Sequence, residues 1–179
     1  MPMLIDTVTR TGALVSAVNE LLAEGGPRAL SVRAIGRVSH VSPSSIIHHF
    51  GTVEQLLRVA AHWTGGARRE AIAVRANEGA LAFLPATDDD VVDARVWLAW
   101  CELWRSDPAV EVVIREARED ERALLARLTD YAHPADELDV LVALIEGLTV
   151  ACCAPHNPHH PSGHADSSGA GTPRDEWGA

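Results

Sequence analysis

The sequence predicts an all-α protein, and three observations carry that prediction. Apolar residues recur at helical spacing from Val8 to Leu22 and again from Val32 onward. The stretch Gly25-Gly26-Pro27 separates the two runs and contains residue types that end helices. No long run of alternating apolar and polar residues, which would predict a strand, occurs in the 179 residues.

Helix-start signals place the later elements. Ser42 followed by Pro43 predicts a cap with proline in the first helical turn, and Thr52 with Gln55 three residues later predicts a capping box. Asp107-Pro108 repeats the first signal. Beyond the helix that begins at Thr52, we expect helices at residues 88–106, 108–132 and 135–154.

Composition argues against a secreted, disulfide-stapled protein and against a membrane-spanning one. Three cysteines cannot form a disulfide framework, and 179 residues bury a core without one. The N-terminus has no basic and apolar leader, and acidic residues interrupt the apolar stretch 138–154. We therefore expect reduced thiols, a cytoplasmic location and no membrane.

Charge is unevenly distributed along the chain. All 15 basic residues are arginines; residues 1–75 hold 8 of them against 5 acids, a net +3, whereas the remainder has 7 against 20, a net −13. A basic first third is expected where only one end of a protein meets a polyanion, and guanidinium groups bind phosphates and base edges. The alternative is two solvated surfaces of opposite sign.

Residues 31–50 predict a helix-turn-helix unit. Two short helical segments, 31–38 and 42–50, are joined by a turn of about four residues. This arrangement presents the second helix to the major groove of DNA. Ser44 and Ser45 lie at the N-terminal end of that helix, where hydroxyl groups donate to or accept from base edges. The alternative is that the segment is an ordinary pair of short helices, which many small helical proteins contain.

Twelve positions in residues 14–57 fall in step with one family motif: Leu21, Gly25, Ser31, Ile35, Val41, Ser42, Ile46, His49, Phe50, Thr52, Glu54 and Leu57. The stretch therefore resembles the N-terminal DNA-binding domain of the TetR/AcrR family of transcriptional regulators. Residues 97–108 and 141–150 are similar, more weakly, to the ligand-binding and dimerising helices of a choline-regulator-like branch of that family. The resemblance implies a ligand-responsive repressor that binds a palindromic operator in double-stranded DNA as a homodimer.

The same resemblance implies a division of the chain. We expect a helix-turn-helix DNA-binding domain at residues 1–51 and an antiparallel helical bundle for ligand binding and dimerisation at 52–154. Residues 155–179, rich in Pro, His, Gly and Ser, are expected to form a disordered tail. The expected DNA contacts are Arg10, Ser31, Arg33, Ser42, Pro43, Ser44, Ser45, His48, His49 and Thr52.

Four positions depart from the family motif. His40 replaces the usual turn glycine, where we expect positive φ, and Gly36 replaces an alanine at a cost of about 1 kcal/mol in helix stability. Ile47 and Val53 stand at the positions of the family's phosphate-binding tyrosine and lysine. Because two anchors are missing, we predict weak DNA binding that strengthens from pH 8 to pH 6 as histidines of the second helix gain charge.

Four side chains share one face of the expected helix 88–106, because Trp97, Trp100, Cys101 and Trp104 lie at i, i+3, i+4 and i+7. Three indoles on one face predict a pocket wall for a small-molecule effector, aromatic or cationic, with Trp63 closing the pocket. The alternative is a stripe that packs in the core. A helix at 52–64 with a flexible end at residues 65–66 would connect this pocket to the DNA-binding head.

The last expected helix, 135–154, has an apolar surface wider than one stripe. Such a helix packs on its own core and on a second copy, and we expect dimer contacts from Leu138, Leu141, Val142, Ile145 and Leu148. The alternative is a buried central helix in a monomer. Charges alternate in sign at helical-neighbour spacing through 111–127, which is typical of a solvated face.

The sequence contains no glycine-rich phosphate loop, nucleophile elbow, CxxC pair or H-E-x-x-H motif. We therefore expect neither enzyme activity nor a cofactor. A histidine-rich stretch at 156–166 follows Cys152-Cys153, but its irregular spacing preorganises no site, and we assign no metal. The competing interpretation is a metal-binding or interaction protein of the same fold with weakened DNA binding.

Overall fold

The computed structural model describes residues 2–129 and 135–154. Every regular element in those two ranges is helical, which confirms the all-α prediction. The α-helices found there are α1 Pro2–Gly25, α2 Val32–Ser39, α3 Pro43–Phe50, α4 Val53–Val74, α5 Asp88–Trp104, α6 Pro108–Leu128 and α7 Ala135–Cys153. Stretches of 3₁₀-helix at Gly26–Ala29 and Ala76–Phe83 connect α1 to α2 and α4 to α5.

Capping side chains fix where the helices begin. Ser31, Ser42 and Thr52 each accept a hydrogen bond from the backbone N–H three residues further on, at 3.1, 3.1 and 3.2 Å. Asp107 caps α6, which begins at Pro108. Each of these starts agrees with its sequence signal, because a cap joins residues that are already neighbours in the chain.

Helix α4 is longer than the sequence predicts. It runs from Val53 to Val74 straight through Gly65 and Gly66, so the expected flexible end at these residues is wrong. Gly65 is buried where α4 crosses α6, and a Cβ at this position would lie 3.1 Å from the Cβ of Ala117. The glycine therefore serves close helix packing and does not end the helix.

The main hydrophobic core is continuous between the first three helices and the rest of the chain. Leu14 and Val18 of α1, Ile35 of α2, Ile46 of α3 and Trp100 of α5 are all fully buried in it. A second cluster joins α4, the 3₁₀ segment before α5, α6 and α7 through Ile72, Ala82, Phe83, Leu124, Leu125 and Ile145. The head is therefore packed on the body through α1, and a shift of α5 acts directly on α1.

Two helix ends fall short of their predicted positions. Helix α5 ends at Trp104 and α6 at Leu128, where 106 and 132 were expected. The predicted disordered tail at 155–179 and the link at 130–134 lie outside the described residues. Within 2–129 and 135–154, no helix combines the length and the apolar character needed to cross a lipid bilayer.

Candidate nucleic-acid interface and effector cavity

Helix α3 is anchored by one apolar side and exposes the other. Ile46 is fully buried and Phe50 is 9% exposed, and both lie in the main core. These positions are four residues apart and share a helix face, so the remaining surface of α3 faces outward. Pro43, Ser44 and Ser45 are exposed there. The N-terminal end of α3 is therefore presented as a recognition helix requires.

Three serine hydroxyls cluster at the start of α3. Ser42 Oγ accepts a hydrogen bond from the backbone N–H of Ser45 and lies 3.0 Å from Ser44 Oγ and 2.8 Å from Ser45 Oγ. Ser42 is thus used as the helix cap. Ser44 and Ser45 are exposed and their hydroxyls can exchange these contacts for base edges or phosphate oxygens.

The turn between α2 and α3 depends on two unusual backbone positions. His40 has φ 56° and ψ 27°, which confirms the predicted left-handed conformation. Gly36 is buried, and a Cβ there would lie 2.6 Å from the carbonyl oxygen of Val41. The glycine admits the close approach of the turn to α2, and this packing offsets the lower helix propensity expected of Gly36.

All ten predicted DNA-contacting residues are exposed, and they lie on α1, α3 and the starts of α2 and α4. His49 also packs edge-on against Phe50, with ring centroids 4.6 Å apart. Ile47, at the family's tyrosine position, has 40% of its surface exposed and offers no hydrogen bond. Arg10 of α1 and Arg33 of α2 are exposed and carry positive charge that can attract phosphates.

A cavity of about 720 Å³ opens among α5, α6 and α7. Trp97, Cys101 and Trp104 line it, as the shared-face argument predicts. Its volume lies within the range of about 300 to 1,000 Å³ that is usual for small-molecule sites. The charged side chains of the wall are Arg68, Arg105, Arg115, Arg118, Arg122, Glu102, Glu119, Glu121, Asp139 and Glu146.

Two of the predicted ligand residues lie elsewhere. Trp100 is fully buried in the main core, and its Nε1 donates a hydrogen bond to Asn19 Oδ1 at 3.1 Å. Successive residues of an α-helix are about 100° apart around its axis, so Trp100 points in a different direction from Trp97 and Trp104. This difference turns its indole toward α1. Trp63 is 41% exposed on a separate surface beside His62 and does not close the cavity.

Two arginines cover the indole rings of the cavity. The guanidinium of Arg68 lies 5.4 Å from the ring centroid of Trp97, and that of Arg118 lies 5.3 Å from Trp104. Arg68 Nε also donates to Glu121 Oε1 at 2.8 Å. Burial raises the pKa of the Glu121 carboxyl, and the charge of Arg68 opposes that rise.

The charges of α6 are not a purely solvated face, contrary to the prediction for 111–127. Arg118 forms an ion pair with Glu146 of α7, and Arg122 forms one with Asp139 of the same helix. Arg118 Nη1 also donates to Cys101 Sγ at 3.7 Å. Burial raises the pKa of the Cys101 thiol, so this cysteine is held in its neutral form.

The predicted dimer residues of α7 divide between two faces. Ile145 is buried in the second cluster, and Leu138, Leu141 and Val142 pack against that cluster, so these four face their own chain. Leu148 is 42% exposed. It continues an outward row with Val140 and Leu144, which are 69% and 56% exposed, and this row is the face that α7 leaves open.

Metal-ligating side chains do not gather in the part of the chain that the structure describes: no group of three or more His, Cys, Asp or Glu residues with metal-site geometry occurs there. Cys101, Cys152 and Cys153 are free thiols. The histidine-rich stretch 156–166 lies outside the described residues.

The sequence is similar to those of known regulatory proteins. A family model described as "Bacterial regulatory proteins, tetR family" matches residues 14–60, which contain α2, α3 and the start of α4. The HTH-type transcriptional regulator BetI of Rhizobium meliloti (strain 1021) is 29% identical over 171 residues, covering 84% of this chain and 81% of BetI. Both matches support a transcriptional regulator of the TetR family.

Solved structures of TetR-family type share the fold. A transcriptional regulator from Rhodococcus sp. Rha1 matches 80% of this chain and 83% of its own with a TM-score of 0.70 at 18% identity. The multidrug binding protein EbrR, complexed with malachite green, matches 82% of this chain and 88% of its own with a TM-score of 0.63 at 21% identity. This chain therefore shares their architecture, a helix-turn-helix head on a helical body.

Sequence patterns did not reveal several residues that build the cavity or support its wall. Arg68 follows the two glycines of α4, and its contact with Trp97 joins positions 29 residues apart, so no local pattern indicates it. Arg118 lies in a charged stretch whose pattern is the same for solvated and buried faces. Asn19 has no local signal at all, because its partner Trp100 is 81 residues away.

Proposed function

We propose that this TetR-family regulator is a repressor that binds a palindromic operator as a homodimer and releases it when an organic cation fills the cavity. The observation that carries the proposal is the geometry of α3. Its N-terminal hydroxyls, Ser44 and Ser45, are exposed, while Ile46 and Phe50 fix the helix in the core. A short helix held in this way reads base edges without being reshaped by the contact.

Dimerisation is supported by α7. Val140, Leu144 and Leu148 form an exposed apolar row at helical spacing, and Gly147 beside them has open space around it. A second copy of α7 covers such a row and places two copies of α3 on one side of the dimer. The operator is then an inverted repeat with half-sites one helical turn apart, about 34 to 36 Å, or a multiple of that distance.

The cavity favours an organic cation. Its indole rings already hold cationic groups, the guanidiniums of Arg68 and Arg118, and Glu102, Glu119 and Glu146 place carboxylates in the same wall. The chain beyond residue 75 has a net charge of −13, which attracts cations to this end of the protein. EbrR, which shares the fold, was crystallised with malachite green, an aromatic cation.

Helix α5 connects the cavity to the DNA-binding head. It places Trp97 and Trp104 in the cavity wall and Trp100 against Asn19 of α1. A ligand that moves α5 therefore acts on α1, which packs against α2, and α2 in turn packs against α3. The ligand lowers operator affinity only if it binds the non-DNA-binding arrangement more tightly.

The test is selection of bound sequences from a random double-stranded DNA pool by the purified full-length protein. We expect enrichment of one inverted repeat, and fluorescence anisotropy should show salt-sensitive binding to it and much weaker binding to a scrambled duplex. Malachite green should lower affinity for the repeat. A pool with no enriched sequence contradicts the regulator proposal, and enrichment of a single half-site contradicts the dimer.

A further inference from the structure

The cation sites of the cavity are already occupied by the protein's own arginines. Arg68 covers Trp97 and Arg118 covers Trp104, each at a distance typical of cation–π contact. Each guanidinium also has a carboxylate partner, Glu121 for Arg68 and Glu146 for Arg118. An incoming cation therefore meets no bare indole face at these two rings.

The two arginines are held to different degrees. The side chains of Arg68 and Glu121 are only 17% and 14% exposed, and this pair joins α4 to α6 inside the protein. Those of Arg118 and Glu146 are 30% and 46% exposed and face the cavity opening between α6 and α7. A displaced Arg118 guanidinium can return to water at little cost, whereas a displaced Arg68 would leave Glu121 buried and unpaired.

We propose that the Arg118 guanidinium occupies the site where an organic cation binds. The cation displaces this guanidinium and makes its contacts with the Trp104 ring and the Glu146 carboxylate. This inference rests on the proposed function of the cavity and identifies Arg118 as the residue that determines which cations bind there. Only cations with diffuse or quaternary charge compete well, because they lose less hydration on stacking than a primary ammonium does.

The exchange also has a structural consequence. Arg118 and Arg122 each form an ion pair that joins α6 to α7. A ligand on Glu146 removes one of them and loosens α7, the helix whose outer row we assign to the dimer. Effector binding and the spacing of the two heads are thereby coupled through one side chain.

The experiment titrates the full-length protein with malachite green and follows the dye signal. Arg118→Gln should bind the dye about tenfold more tightly than the wild type, a difference of 1.4 kcal/mol. Glu146→Gln should bind it about tenfold more weakly, because the carboxylate is lost while Arg118 stays on Trp104. Arg69→Gln is the charge-matched control: it removes an exposed ion pair with Asp120 outside the cavity, and dye affinity should stay within twofold.

An anionic dye, anilinonaphthalene sulfonate, should show the opposite order for Arg118→Gln and Glu146→Gln. Circular dichroism checks that each variant is folded. If Arg118→Gln unfolds, Glu146→Gln still tests the proposal, because Glu146 is half-exposed and its substitution should leave the fold intact. If wild type binds malachite green and both cavity variants match it, the competition by Arg118 is refuted while the effector cavity stands. If neither wild type nor any variant binds malachite green, both the competition by Arg118 and the proposal of an organic cation as effector are refuted.

Discussion

Asn19 offers a direct test of how the head is joined to the body. Its side chain, on α1, accepts a hydrogen bond from Trp100 Nε1 of α5 at 3.1 Å. It also shares hydrogen bonds with Thr64 of α4 at 3.0 Å. One amide thus joins three helices, and Asn19→Ala removes all of these bonds while leaving the backbone of α1 able to stay helical.

The size of the effect follows from burial. Trp100 is fully buried, so its indole N–H loses its acceptor and finds no water, which costs about 1 to 3 kcal/mol. Thr64 is only partly buried and can be rehydrated, so its lost hydrogen bond adds no more than about 1 kcal/mol. We expect Asn19→Ala to lower the free energy of unfolding by about 2 to 3 kcal/mol.

Urea denaturation followed by circular dichroism measures this loss, with Ser16→Ala on the exposed face of α1 as a control that should stay within about 0.5 kcal/mol of wild type. A double-mutant cycle with Trp100→Phe isolates the indole hydrogen bond, and its coupling energy should reach about 1 to 2 kcal/mol. A coupling energy below about 0.5 kcal/mol would refute the role given to this bond.

Two other predictions concern the head and the cap of α5. Gly36→Ala should destabilise the protein by about 1 to 2 kcal/mol, measured by urea denaturation. The new Cβ would lie 2.6 Å from Val41 O, and this clash outweighs the better helix propensity of alanine. A variant more stable than wild type would contradict this. Backbone amides, that of Ala86 foremost, lower the pKa of Asp90, so this carboxylate stabilises the fold above its ordinary pKa and less as pH falls. Asp90→Ala should therefore lower the free energy of unfolding by about 1 kcal/mol at pH 7 and by less near pH 3. A loss of stability that grows as the pH falls would contradict this reasoning.

The parts of this fold that the sequence predicted are those governed by neighbouring residues. Ser31, Ser42 and Thr52 begin helices because each accepts a hydrogen bond from three residues away. His40 adopts positive φ because the turn demands it and histidine tolerates it better than most side chains. Such signals do not depend on what packs against the segment.

The parts that were wrong depend on distant partners. Glycine often marks a helix end, but α6 packs against Gly65 and α4 continues through it. The tryptophan stripe spans a face wide enough to meet two neighbours, so Trp100 turns to α1 while Trp97 and Trp104 face the cavity. Ile145 was assigned to a dimer, and it is covered instead by the second cluster of its own chain.

The central claim is that the N-terminal end of α3 reads operator DNA, and occupancy of the selected operator by a Ser44→Glu, Ser45→Glu double variant tests it most directly. Each acidic side chain replaces a small hydroxyl with a charge that base acceptors and phosphates repel, so affinity measured by fluorescence anisotropy should fall at least about 100-fold. Ala123→Glu, an exposed site on α6, adds a negative charge to the body and should bind like wild type. A double variant that binds the operator as tightly as wild type would contradict this account of recognition.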